Sequence, residues 1–175
     1  MKKRLFNLLL VTTLVGLCCI GCKKDNDKNS GKEDNLPAGV NQIYYGGNLY
    51  DVAAHISNNG NFYMIGAESI SDSVSCAIDI NNPNMGVAED ITKPLANDEA
   101  HRSFMFYVGD TYIQQERGTE IWGAIGDTEY ETGGIFSNGT ATFSSNGNGK
   151  TYILDGTLKN GKRICVNISV SADSI

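Results

Sequence analysis

Asn-Gly occurs five times in this chain, at Asn59-Gly60, Asn138-Gly139, Asn146-Gly147, Asn148-Gly149 and Asn160-Gly161. Both residues accept the positive φ that tight two-residue hairpins require, so each pair marks a place where a strand turns back on its neighbour. Gly46-Gly47 offers the same chemistry between 42–45 and 48–56. Such closely spaced reversals leave room for short antiparallel strands and little else.

The residues between these turns alternate with a period of two. Ile164, Val166, Ile168 and Val170 share one side of a strand, with Cys165, Asn167 and Ser169 on the other. Segments 140–144, 151–158 and 163–170 read as a C-terminal meander, and earlier strands are expected at 62–67, 73–80, 104–108, 112–115 and 121–125. Only 89–102 offers helical material, and Pro94 interrupts it, so this stretch reads as a long loop or a short helix. The expectation is an all-β antiparallel sandwich or barrel of about ten short strands, with one long loop or short helix near 81–102.

Charge narrows the function classes. Residues 38–175 hold 7 Lys and Arg against 16 Asp and Glu, a net charge of −9 where the whole chain carries −6. Residues 87–131 contribute −7 of this, whereas 132–175 contribute +2. A domain this acidic excludes nucleic acid as a partner, because phosphate contacts need clustered Lys and Arg. It favours a cationic or neutral ligand over an anionic one.

The N-terminus has a different composition. Lys2, Lys3 and Arg4 precede a mostly apolar stretch, 5–20, that is short for a permanent membrane span and suits a secretory signal. It ends in Cys19-Ile20-Gly21-Cys22, followed by Lys23-Lys24-Asp25-Asn26-Asp27. These four residues resemble a bacterial lipobox, with Cys19 where an aliphatic residue is usual. The resemblance implies a signal peptide over 1–21, lipidation of Cys22, a tether over 22–37 and a single β domain over 38–175. Two or more acyl chains hold a protein stably at a membrane. The tether's Lys, Asp, Asn, Ser and Gly cannot bury enough apolar surface to order it.

The "YYGGNLYDV" opening of the domain and its "GTATFSSNGNGKTYILDGTLKNGKRI" close resemble the small single-domain lipoproteins common in Bacteroidetes. That resemblance implies an all-β fold and a lipid-anchored place in the cell envelope, at the outer membrane. Asp72-Ser73-Val74 resembles the O-glycosylation triplet of the same bacteria.

Chemistry-bearing motifs are sparse. Gly149-Lys150-Thr151 has Ser144 where a phosphate-binding loop needs Gly, and a strand follows where that loop needs a helix. His55 and His101 have no metal-ligand spacing, and no Ser stands in a Gly-x-Ser-x-Gly elbow. Cys76 falls on an inward stripe and Cys165 on a polar one, so a bridge between them is not expected, and Cys165 is expected to be exposed or at an edge. Asp79, Glu89 and Asp90 are the candidate ligands for Ca2+, which asks only for converging oxygens; Asp98 and Glu99 extend the set. Trp122 and Tyr107 are the candidate binding aromatics, each at an alternating position that can face solvent.

Two functions follow as expectations. The first is a non-enzymatic binding or envelope-structural domain, anchored to the membrane by its N-terminal lipid, that meets a protein or glycan ligand through the long 80–102 segment. The alternative is a small β-barrel hydrolase or inhibitor-like protein with an internal ligand pocket. Converging polar residues inside the fold would favour that alternative, and a filled apolar core would count against it.

Overall fold

The computed structural model describes residues 39–69, 73–118 and 134–171, and the strands at 121–125 and 129–132 through their pairing alone. Cys22, the tether and Asp72 lie outside the described residues, as does the side chain of Trp122. The domain is all-β. In chain order the strands are β1 (Gln42–Tyr45), β2 (Asn48–Asn59), β3 (Phe62–Ser69), β4 (Val74–Asn81), β5 (Ala88–Asp90), β6 (His101–Val108), β7 (Thr111–Arg117), β8 (Ile121–Ile125), β9 (Glu129–Thr132), β10 (Phe136–Asn146), β11 (Gly149–Leu158) and β12 (Arg163–Val170).

All twelve join one antiparallel sheet in the order β5-β10-β11-β12-β1-β2-β3-β4-β6-β7-β8-β9. The chain is therefore a meander whose last strand returns to its first. The exception is β5, which leaves the connection between β4 and β6 to pair with β10. No helix is present among the described residues, so 81–102 is a loop carrying a three-residue strand.

The sheet bends at β2. Its first residues pair with β1, up to Asp51, and from Val52 onward it pairs with β3. One long strand thus belongs to two parts of the sheet, which curls into a half-barrel. Aromatic rings close the curl: Tyr45 meets Phe106 at 5.1 Å, Tyr63 meets Phe143 at 4.9 Å and Phe104 meets Phe136 at 6.1 Å between ring centroids.

The inward stripe of β4 is Val74, Cys76, Ile78 and Ile80, and that of β12 is Ile164, Val166, Ile168 and Val170; all eight are buried. Each such aliphatic is worth about 1.5–3 kcal/mol over leaving it in water, which sets the register of its strand. Phe104 and Phe106 are inward, while Tyr107 is exposed.

Three of the five Asn-Gly pairs place their glycine in a hairpin, with φ of 64° at Gly60, 58° at Gly147 and 84° at Gly161. Asn138-Gly139 does not turn the chain. It lies inside β10, where the register slips between Phe136 and Asn138. A Cβ on Gly139 would come within 2.6 Å of the Asp155 carbonyl, so here glycine serves close approach in a bulge. Gly149 simply opens β11.

Cys165 is neither exposed nor at an edge. It is fully buried although it lies off the inward stripe, and its Sγ donates to Asp155 Oδ1 at 3.1 Å. Burial pushes its thiol up to about 12, with the Asp155 hydrogen bond in the same direction. Cys76 and Cys165 are both free thiols.

Candidate functional site

The segment from Asn82 to Ala100 crosses the half-barrel as a strap, and buried polar side chains of β6 and β7 hold its backbone. Gln115 is the pivot: its Nε2 donates to the Ile91 carbonyl at 2.9 Å, and its Oε1 accepts from the Ile135 N–H at 2.8 Å. Arg117 donates from Nε to the Lys93 carbonyl at 3.0 Å and from Nη2 to the Asp90 carbonyl at 2.9 Å. Both side chains sit at inward positions of β7 that an apolar residue would ordinarily fill.

Glu89 arrives from the strap between two guanidinium groups. Arg102 grips it with two bonds, Nη2 to Oε1 at 2.6 Å and Nε to Oε2 at 3.2 Å. Arg117 Nη1 stands 3.5 Å from Oε2. Burial pulls the Arg117 guanidinium down from its ordinary value and Glu89 opposes this, so the carboxylate is what lets the charge stay inside. Beside this cluster Ile91, 2% exposed, lies against Gly139 of β10 and Gly156 of β11. A Cβ on either glycine would come within 2.9 Å of Ile91 Cδ1. The two glycines face each other in register and leave a notch, and Ile91 fills it.

The proposed cation ligands do not converge. Glu89 is taken by the two arginines, and Asp90 accepts from the Thr92 hydroxyl at 2.6 Å and pairs with Lys93 at 2.8 Å. Those two partners hold the Asp90 carboxyl well below its usual range. Asp79 points from β4 to the outer face of the sheet, away from both. Among the described residues no three His, Cys, Asp or Glu side chains form a group that could hold a metal ion. Backbone topology explains this: Asp79 and Glu89 fall on opposite sides of the sheet.

The outer face carries a different network. Glu116 accepts from Ser103 Oγ and from Gln114 Nε2, both at 3.0 Å, and meets His101 Nε2 at 2.8 Å. Asp79 lies across Ser103 from Glu116 in the register. Partial burial and the Glu116 charge raise its carboxyl, while His101 draws it down. His101 is thus the first residue of β6 and is partnered there by Glu116.

Of the two candidate aromatics, Tyr107 is 46% exposed, and its ring stacks on Tyr112 at 4.7 Å. Trp122 stands opposite Glu116 in the β7–β8 register. The sequence reasoning passed over Arg102, Gln115 and Arg117. Their signal was positional, since each extends an inward stripe, Arg102 with Phe104 and Phe106, and the other two with Ile113.

Three spaces stand out among the described residues. An interior cavity of about 30 Å3 is ringed by side chains such as Ile78, Phe104, Phe143, Tyr152 and Leu154, with Glu89, Arg102 and Arg117 in its wall. An open cleft of about 380 Å3 lies under the strap, bounded by Asn82, Asn84, Leu95, Asn97 and the Glu89–Arg102 pair. A second, also about 380 Å3, lies on the outer face beside Tyr107, with Glu68, Ser69, Ser73, Ser75 and Gly109. This geometry has to be read by itself, for no family model, no curated protein and no solved structure matches the chain.

Proposed function

We propose that the chain is a bacterial lipoprotein, held in the cell envelope by acyl chains on Cys22, whose β domain is a non-enzymatic binding module working through its outer surface. The observation that carries the binding reading is how little interior space the described residues leave. A space of about 30 Å3 has room for a few waters at most, whereas small-molecule sites run to about 300–1,000 Å3. A ligand is then met outside, and the exposed Tyr107 with its neighbouring cleft is the best-equipped place. The strap, by contrast, spends its polar contacts on holding itself down.

The anchor rests on the basic start, the apolar stretch and Cys19-Ile20-Gly21-Cys22. Its test is fractionation of cells expressing the intact gene or Cys22→Ala. The native chain is expected with the membranes and in the detergent phase, and the variant in the aqueous phase. A variant still held by membranes would mean a different anchor.

A second reading, a hydrolase or inhibitor-like barrel with an internal pocket, draws on the polar cluster Glu89, Arg102, Gln115 and Arg117 facing inward. It requires the strap to lift. Amide exchange at Ala88–Asp90 as slow as that at Arg163–Val170 would count against it.

A further inference from the structure

The outer face of β3, β4 and β6 forms a groove. Register places Glu68, Ser75, Tyr107 and Tyr112 in one row across four strands. The next rows are Gly66, Ala77 and Met105, then Met64, Asp79 and Ser103. Strand β4 therefore gives a floor of short side chains, Ser75, Ala77 and Asp79. Tyr107 and Met105 rise on one side; Glu68 and Met64 rise on the other. Neighbouring strands lie about 4.8 Å apart, so the walls stand about 10 Å apart over a floor about 14 Å long. Tyr107 and Met64 are 46% and 48% exposed, and the cleft of about 380 Å3 opens at the Tyr107 end.

We propose that this groove binds a neutral oligosaccharide, with one sugar ring laid against Tyr107 and its hydroxyls bonded by Glu68 and Ser75. This rests on the binding-module reading above and names its ligand class. A sugar presents C–H groups on its ring faces and hydroxyls on its rim. The groove offers the complement, an aromatic face beside carboxylate and hydroxyl oxygens. Stacking on Tyr112 fixes the Tyr107 ring before any ligand arrives, so little ordering cost remains. β3, β4 and β6 are all interior strands with both edges paired, which leaves no free edge for an added peptide strand. The groove rows hold two acids, Glu68 and Asp79, and neither Lys nor Arg, so an anionic glycan is disfavoured.

The test uses the full-length chain in detergent, run in native gels containing one polysaccharide at a time: mixed-linkage β-glucan, xylan, galactomannan or yeast mannan, with polygalacturonate as the anionic counterpart. At least one neutral polymer is expected to retard the protein, and polygalacturonate not to. Tyr107→Ala should weaken that binding about tenfold or more, as a central aromatic does. Tyr107→Phe should keep it within about threefold, because the ring face and not the hydroxyl does the stacking. The position is exposed, so both variants should melt like the native chain. Retardation by none of the neutral polymers, equal retardation by polygalacturonate, or full binding by Tyr107→Ala overturns the proposal. A photo-crosslinker at position 107 in whole cells separates the two levels. A specific protein adduct without glycan retardation sinks the sugar and leaves the binding module standing; neither adduct nor retardation removes both.

Discussion

Strands β6 and β7 carry two ionic networks one residue apart, on opposite faces of the sheet. Inward, Arg102 and Arg117 are register partners and share the carboxylate of Glu89. Outward, Ser103 and Glu116 are the next pair, joined by His101 and Gln114. The residue types are alike and the surroundings are not. The two carboxylates are about equally buried, Glu89 at 18% and Glu116 at 17% exposure. The inner cations Arg102 and Arg117, however, are largely out of water and depend on Glu89 and on strap carbonyls. The outer partner His101 is 44% exposed and keeps water as an alternative. Coulomb attraction and the cost of losing a partner both grow as the dielectric falls. The inner network, with its two buried cations, should therefore weigh more on stability than the outer one.

The largest break should come from Glu89→Ala, which leaves two guanidinium groups facing each other without a counter-charge. Removing one partner of a buried pair costs about 3–5 kcal/mol, and the lower end applies because the Glu89 side chain is 18% exposed. A urea midpoint measured for this variant, with Glu89→Gln beside it, reads the loss directly. If Glu89→Ala unfolds at the native midpoint, the strap is not clamped as described.

Ile91→Ala should follow at about 2–4 kcal/mol, since it empties the notch over Gly139 and Gly156 as well as losing buried aliphatic surface. Amide exchange at Ala88–Asp90 should rise well before that of β12. Excising the strap should unfold the domain for the same reason, which would make 82–100 a structural segment and not the recognition loop its length suggested.

On the outer face, Glu116→Gln should cost about 1 kcal/mol or less. Glu116 is only 17% exposed, but its charged partner His101 is 44% exposed, and the amide oxygen can still accept from Ser103 and Gln114. A thermal melt near neutral pH checks it. A large loss would place the outer network in the same class as the inner one.

Asp79→Asn should be the smallest change, and a gain. The folded Asp79 carboxyl is raised, so its protonated form favours the fold and its ionised form costs stability as pH climbs through the folded value. The variant should melt slightly higher at pH 7 and lose that advantage below about pH 4, where the native group is protonated in both states. A gain that persists at pH 3 would trace to something other than the charge.

Much of the fold was legible before any coordinates. The strands expected at 151–158 and 163–170 run as β11 and β12, and alternation named the inward residues of β4 and β12. Local chemistry decides these features, because a two-residue loop with glycine at positive φ reverses the chain whatever lies beyond it. The misses share the opposite character. Asn138-Gly139 has the same dipeptide as the hairpins, yet a facing Gly156 and the side chain of Ile91 make it a bulge. β5, three residues long, has no periodicity of its own and exists only because β10 offers an edge. Cys165 followed its polar stripe to an outer position but sits buried beside the Asp155–Arg163 pair. Asp79, Glu89 and Asp90 are close in sequence, and sequence distance says nothing about which side of a sheet each residue takes.

By itself, then, the sequence determined an all-β antiparallel chain, the places where it reverses and the residues its strands turn inward, since these depend on neighbours within a few positions. The tertiary structure decided where the strap lies, which cations Glu89 meets and which aromatic ring is left facing water. Those outcomes rest on contacts between residues tens of positions apart, such as Ile91 with Gly139 and Gly156, whose energy exists only once the sheet has curled and water has left its inner face.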